Sequence, residues 1–345
     1  MVTQLNSIQS LWLNHECATK QMAGYSFGTY VPPLYTRLSA EVVAANIATV
    51  QQAMDRHARR ADGTVPLFLL EMPPLTYFSA GTISIPHFFR LVTTLVPCGL
   101  VLDIGHLWTV YRYTAACRRT SLDRFVREFL EEFPLERVVE IHVAGLACHE
   151  LVGEPKVGEG LPEWIDAHAA PIPSILFNML EQVLAHSNLV SLPGGGARSG
   201  HQADCDDCGG VCSDRSAVLP LVQQTMSRGT GVEQLIGLRP RSASVEKPMC
   251  QSHRQQLRDD YARYAQIISG QAPITGPEWQ DVAAEEVPGV TRYWTSYVPH
   301  EILHWGGDLT EMFPQTCRTL AERGISLTEF VAFWFRSPRP LARVV

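Results

Sequence analysis

Apolar and polar positions change their rhythm several times along this chain. Two short runs, GLVLD from Gly99 to Asp103 and VVEIHV from Val138 to Val143, are continuous, β-branched-rich, and close on polar side chains. Runs of this kind predict strands buried on both faces, as in a parallel sheet. The strands are expected at 9–14, 66–70, 99–102, 138–141 and 188–192. Helical spacing alternates with them at 40–54, with Ser39 as N-cap, at 85–95, at 122–133 up to Pro134, and at 172–185. A polar, glycine-bearing loop is expected from 17 to Pro33. Strand–helix alternation through residue 192 predicts a parallel α/β architecture with right-handed crossovers.

The rhythm then breaks. Residues 193–215 are rich in Gly, Asp and Cys and are expected to be a linker or a small metal knuckle. Residues 216–345 show helical tendency at 219–226, 253–269, 308–323 and 327–335, with no strand of comparable quality. The expected organisation is a metal-binding β/α-barrel domain over 1–192, the linker over 193–215 and a helical domain over 216–345. The fold class is α/β, a partial TIM-type barrel followed by a mainly helical segment.

In a β/α barrel the chemistry gathers at the C-terminal ends of the strands. Here those ends carry His15, Glu71, Asp103 with His106, and His142, and a following loop adds Asp166 and His168. Hard oxygen donors mixed with imidazoles suit Fe(II), Mn(II) or Zn(II). Glu71 ends an apolar run, where an uncompensated carboxylate would be costly and a cation would offset that cost.

Composition narrows the function classes. The chain has 345 residues, 46% of them hydrophobic and 18% charged, enough for a substantial core. A net charge of −7 argues against a general nucleic-acid binder, which needs a basic face. No apolar run reaches membrane-spanning length and the start lacks a signal-peptide pattern. Nine cysteines, an odd number, point to free thiols in a reducing cytoplasm.

The ordered motifs LLE ending at Glu71, DIGH from Asp103 to His106, IHVAG from Ile141 to Gly145, and DAHAAPI from Asp166 to Ile172 resemble the multinuclear non-heme iron oxidative enzymes, the family of the iron enzyme of methanobactin biosynthesis. Asn14-His15 is similar to that family's Asp-His pair. The resemblance covers roughly residues 10–192. It implies a xylose-isomerase-like barrel that uses two or three irons and O₂ to modify cysteines or other residues of ribosomally made precursor peptides, often with a partner protein that delivers the peptide. Carried over, Glu71 would bridge irons, and Asp103, His106, His142, Asp166 and His168 would be ligands. His15 would be a ligand or an active-site residue, and Asp103 would share in catalysis. His106 stands where many members have Asn, no acid ends the run 189–192, and the family's earlier strands have no counterpart here. Either the start is placed late, which would leave an inactive fragment, or the helical half covers the gap. Two other readings stay open: a divalent-metal barrel isomerase or hydrolase without redox chemistry, and an inactive truncated scaffold.

Three further motifs carry expectations. Cys205, Cys208 and Cys212 have zinc-ligand spacing, with Cys250 or His201 to complete a tetrahedron. His300-Glu301-Ile-Leu-His304 matches the zinc-protease pattern, but Trp305-Gly-Gly307 ends its helix early. FVAFWF from Phe330 to Phe335 reads as a buried C-terminal helix, with a partner-docking face as the alternative. The basic stretch after it, to Arg343, reads as an exposed end.

Overall fold

The computed structural model describes residues 2–148, 162–186, 197–199, 249–273, 286–305 and 309–336. The expected strand at 188–192, the helix at 219–226, the zinc ligands Cys205, Cys208, Cys212 and His201, and most of the basic end lie outside them.

A short helix α1 (Val2–Ile8) leads into β1 (Trp12–Glu16). β1 pairs with β4 (Leu67–Glu71), β4 with β5 (Gly99–Asp103), β5 with β6 (Val138–Val143), and β6 with β9 (Ala197–Ser199), all in parallel. β9 falls inside the stretch expected to be a linker. The crossovers run through α2 (Arg37–His57), α3 (Ile85–Leu95), α4 (Ile104–Tyr113), α5 (Ala116–Arg119), α6 (Leu122–Glu132) and α7 (Ser174–Ala185). Two antiparallel hairpins project from the strand ends: β2 (Thr19–Met22) with β3 (Tyr25–Val31), and β7 (Leu146–Cys148) with β8 (Trp164–Asp166).

Period-two alternation splits the sheet's side chains between two cores. Phe68, Leu70, Leu100, Leu102, Ile141 and Val143 face the helices and pack with Ile47, Phe88, Phe89 and Phe129. Leu67, Leu69, Val101 and Val139 form a separate cluster on the other face, with Trp12 against it. That second face is concave. Neighbouring strands lie about 4.8 Å apart, so β1 and β6, separated by two strands, would be about 14 Å apart in a flat sheet. Yet the Trp12 indole N–H donates to Glu140 Oε2 at 2.6 Å across the concavity. The sheet therefore curls as in a partial β/α barrel.

Several elements depart from the sequence expectation. The loop to Pro33 contains the β2–β3 hairpin, turned through Ala23 and Gly24, both at positive φ. Helix α2 begins earlier than expected: Thr36, not Ser39, is the N-cap, and its Oγ1 accepts from the Ser39 N–H at 3.2 Å. The stretch 104–113 is helical.

Beyond the sheet, α8 (Gln251–Ile268), α9 (Val287–Arg292), a π turn (Tyr293–Tyr297), α10 (Val298–Trp305), α11 (Leu309–Met312), α12 (Pro314–Glu322) and α13 (Leu327–Arg336) form the helical segment. The helix expected at 308–323 is divided in two at Phe313. Tyr264, Ile268, Val290, Tyr293 and Phe335 join the same core cluster as Phe27, Phe88 and Trp108. No helix among the described residues is long and apolar enough to cross a membrane, and the described cysteines are free thiols.

Candidate metal centre

At the C-terminal ends of the strands, the concave face changes from apolar to ionisable. On β4 the inward series is Leu67, Leu69, Glu71, and on β5 it is Val101, Asp103. On β1 it is Trp12, Asn14, Glu16: Asn14 Nδ2 donates to Glu71 Oε2 at 3.1 Å, and Glu16 lies in the field of Glu71, His106 and Asp166. On β6 the pairing shifts by one residue. Leu100 pairs with Val138 but Val101 pairs with Glu140, a bulge that turns Glu140 and His142 inward above Val139.

The loops supply the rest. Asp103 is the N-cap of α4, its Oδ1 accepting from the His106 N–H at 3.0 Å, so the strand-to-helix junction points His106 into the site. His106 Nδ1–H donates to the Met72 carbonyl at 2.6 Å, which leaves Nε2 as the coordinating nitrogen, 3.8 Å from Asp166 Oδ2. Asp166 and His168 arrive from the β7–β8 hairpin, which crosses close behind His142. A Cβ on Gly145 would meet the Ala170 carbonyl oxygen at 1.8 Å, so only glycine permits that approach.

Two groups of donors result. Glu71, Asp103 and His142 each offer a ligand atom within 4.8 Å of the others, and so do Asp103, His106 and His168. Asp103 is common to both. His142 is held between two carboxylates, Nδ1 at 3.2 Å from Glu71 Oε1 and Nε2 at 3.3 Å from Glu140 Oε1. His168 Nε2 lies 3.3 Å from Asp166 Oδ2. The groups border a pocket of about 440 Å³ whose apolar wall includes Leu5 and Ile8 of α1.

Electrostatics follow from crowding charge in a dry place. Burial lowers the His142 imidazole, but its bonds to Glu140 and Glu71 outweigh this and push it up to about 10. Burial likewise opposes His106, and Asp103, Asp166 and Glu71 together raise it well above the usual range. The bond to Asp166 raises His168. Burial would raise Asp166, yet His106 and His168 hold it well below the usual carboxylate range. Glu16 is raised, chiefly by burial. Four buried atoms, Glu16 Oε2, Asp103 Oδ2, His106 Nε2 and Asp166 Oδ1, have no hydrogen-bond partner among the described residues. Buried polar atoms without partners cost folding energy. A divalent cation among them satisfies both the orphan atoms and the surplus of carboxylates, so the donor set fits a metal.

Of the residues singled out in the sequence, Glu71, Asp103, His106, His142, Asp166 and His168 come together. His15 does not. It is exposed, out of phase with Asn14 and Glu16, and its Nδ1–H donates to the carbonyl of Glu16 at 2.6 Å. Glu16 and Glu140 were passed over. Both lie in phase with inward neighbours, Trp12 and His142, and that period-two phase was the available signal. His300 and Glu301 lie on α10, and neither belongs to the donor groups of this site.

A family profile described as RiPP precursor modification enzyme MbnB/TglH/ChrH matches residues 3–192. A UPF0276 protein of Paraburkholderia phytofirmans is 27% identical over 173 residues, 50% of this chain and 49% of that protein. A UPF0276 protein of Vibrio vulnificus is 24% identical over 182 residues, 52% of this chain and 54% of that protein. One from Rhizobium meliloti is 27% identical over 159 residues, 46% of this chain and 44% of that protein. The chain spans about half the length of the curated relatives it matches.

Proposed function

This chain belongs to the MbnB/TglH/ChrH family of RiPP precursor modification enzymes, and from that premise we propose that its pocket holds two or more iron ions and uses O₂ to oxidise a side chain of a ribosomally made peptide, most directly a cysteine. The observation that carries this reading is the pair of donor groups sharing Asp103, with buried atoms left over for a cation. Glu71, Asp103 and His142 would hold one ion, and Asp103, His106 and His168 the other. Asp166 would fix the ring of His168 through its Oδ2 and stand beside His106 Nε2 as a further ligand. Bound iron would supply one-electron chemistry toward O₂ and a Lewis acid for a thiolate.

The chain's own residues do the remaining work. The pocket is large enough for a peptide side chain, and Leu5 and Ile8 give it an apolar wall. Glu140 holds the ring of His142 from the side away from Glu71. A partner protein that delivers the precursor peptide belongs to the same proposal.

The test is anaerobic purification, Fe(II) reconstitution, elemental analysis and O₂ uptake with a Cys-bearing precursor peptide. We expect at least two equivalents of iron and peptide-dependent O₂ consumption. A preparation that stays metal-free overturns the reading. The same hard O/N donor set also suits Mn(II) or Zn(II), so activity that persists without O₂ would favour a redox-free isomerase or hydrolase.

A further inference from the structure

The family match ends at residue 192, yet helix α9 lies far beyond it and packs against segments that adjoin the ligands in sequence. Its contacts fall on two segments next to the ligands, the loop that follows Glu71 and the residue that precedes the strand ending at Asp166. The first contact is with Tyr77, in the loop that follows Glu71 and supplies the Met72 carbonyl to His106. Tyr77 has φ of 69°, a conformation that strains a tyrosine and persists only where neighbours enforce it. Two such neighbours come from α9. The Arg292 guanidinium sits 4.4 Å over the Tyr77 ring. Gly289 lies so close that a Cβ there would fall 1.9 Å from the Tyr77 carbonyl oxygen. The second contact is with Glu163, which pairs with both Arg292 and Arg112 and immediately precedes the strand Trp164–Asp166 that leads to His168.

We propose that Arg292 is a positioning residue for the metal pocket: through Glu163 and the Tyr77 ring it braces the Asp166/His168 hairpin against the loop that follows Glu71. The brace rests on the metal reading above but adds to it, because it gives the helical segment a task that the matched region lacks. Glu71, Asp103 and His142 ride on paired strands and need no brace. His168 follows a short hairpin held at its turn-side end by Arg112 of α4, whose Nε donates to the Pro162 carbonyl at 3.0 Å and whose Nη2 donates to Glu163 Oε1 at 3.3 Å. Arg292 adds the contact that joins this hairpin to the loop after Glu71, whose Met72 carbonyl orients His106. Loss of Arg292 should therefore loosen one donor group, Asp103/His106/His168, and spare the other.

The experiment titrates the metal-free full chain with Co(II), following its visible absorption and the stoichiometry by equilibrium dialysis. In Arg292→Ala the first equivalent should bind as in the unaltered protein. The second should bind about tenfold more weakly, the scale expected when an outer support of a ligand is removed. Arg292→Lys, which keeps the charge, should recover part of that loss. Gly289→Ala, which pushes α9 off Tyr77, should reproduce it. His168→Ala should remove the same second equivalent, and adding Arg292→Ala to it should change nothing further. Unchanged binding of both equivalents in Arg292→Ala and Gly289→Ala overturns the brace while leaving the metal site standing. Equal weakening of both, with a lowered thermal midpoint, also overturns it, because Arg292 would then act on the fold at large. An unaltered protein that binds no Co(II) sinks the metal reading and the brace with it.

Discussion

Asp103 shows how one side chain serves fold and chemistry together. Its Oδ1 caps α4, while its Oδ2 is buried without a hydrogen-bond partner among the described residues and lies in both donor groups. The two roles separate by substitution. Asp103→Asn keeps an oxygen for the cap but removes the charge, so it should weaken metal binding at both positions while keeping the cap's share of the metal-free protein's stability. Asp103→Ala removes both, and should cost about 1 kcal/mol relative to Asn, the usual worth of an N-cap. Metal titrations and urea unfolding of the two variants check this, and equal stabilities would refute it. His142 carries the pH dependence. Its folded value, up to about 10, exceeds an ordinary imidazole value near 6.5. A group raised on folding stabilises fully below its unfolded value and loses that contribution as pH rises through its folded one. The metal-free protein should therefore lose this contribution between about pH 6.5 and pH 10. Ligation requires the neutral ring, so metal binding must expel the proton, and affinity should rise across the same window. Thermal midpoints of the metal-free protein and zinc affinities at stepped pH would check the opposed slopes. An affinity flat with pH would contradict them.

At the scale of elements, legibility followed consistency. The helix at 85–95 and the strand ends at Glu71 and Asp103 could be read because local pattern and tertiary burial agree there. Helix α4 could not, because Ile104 to Tyr111 is buried on every side and no polar face marks a helical period. The β2–β3 hairpin was hidden by its turn, since Ala23 at positive φ is not a residue that announces one. The candidate site shows the same division. Asp103, His106 and His142 stand out as polar residues closing apolar runs. The choice between His15 and Glu16 depends on strand phase, and one residue of phase reverses a side chain's face. The inward turn of Glu140 depends on the bulge in β6, a property of its pairing with β5 that β6's own residues do not declare. Asp166 and His168 have no periodic context, and the sequence marks them only as a metal-capable pair in the loop that follows the strand of His142.

At the scale of the molecule, the helical segment and the curled sheet share packing that neither can lose alone. Phe335 of α13 is fully buried with its ring edge-on to Phe27 of β3 at 5.6 Å. Phe27 stands on the hairpin that continues directly from Glu16. The Tyr264 hydroxyl of α8 donates to the Pro32 carbonyl at the end of that hairpin at 3.3 Å. Removing a buried aromatic ring costs roughly 3–5 kcal/mol, because the cavity closes only in part. If the two parts were joined only by a linker, Phe335→Ala would unfold the helices and leave the sheet's protection intact. With the core continuous, the loss should instead spread, lowering the urea midpoint of one cooperative transition at unchanged slope. Hydrogen exchange read peptide by peptide distinguishes the cases. Amides of β3 and β4 should exchange faster in Phe335→Ala by the same factor as those of α13. Acceleration confined to residues 309–336 would mean that the sheet holds its site without help from the helices, and that the brace at Arg292 is grafted onto a structure already complete.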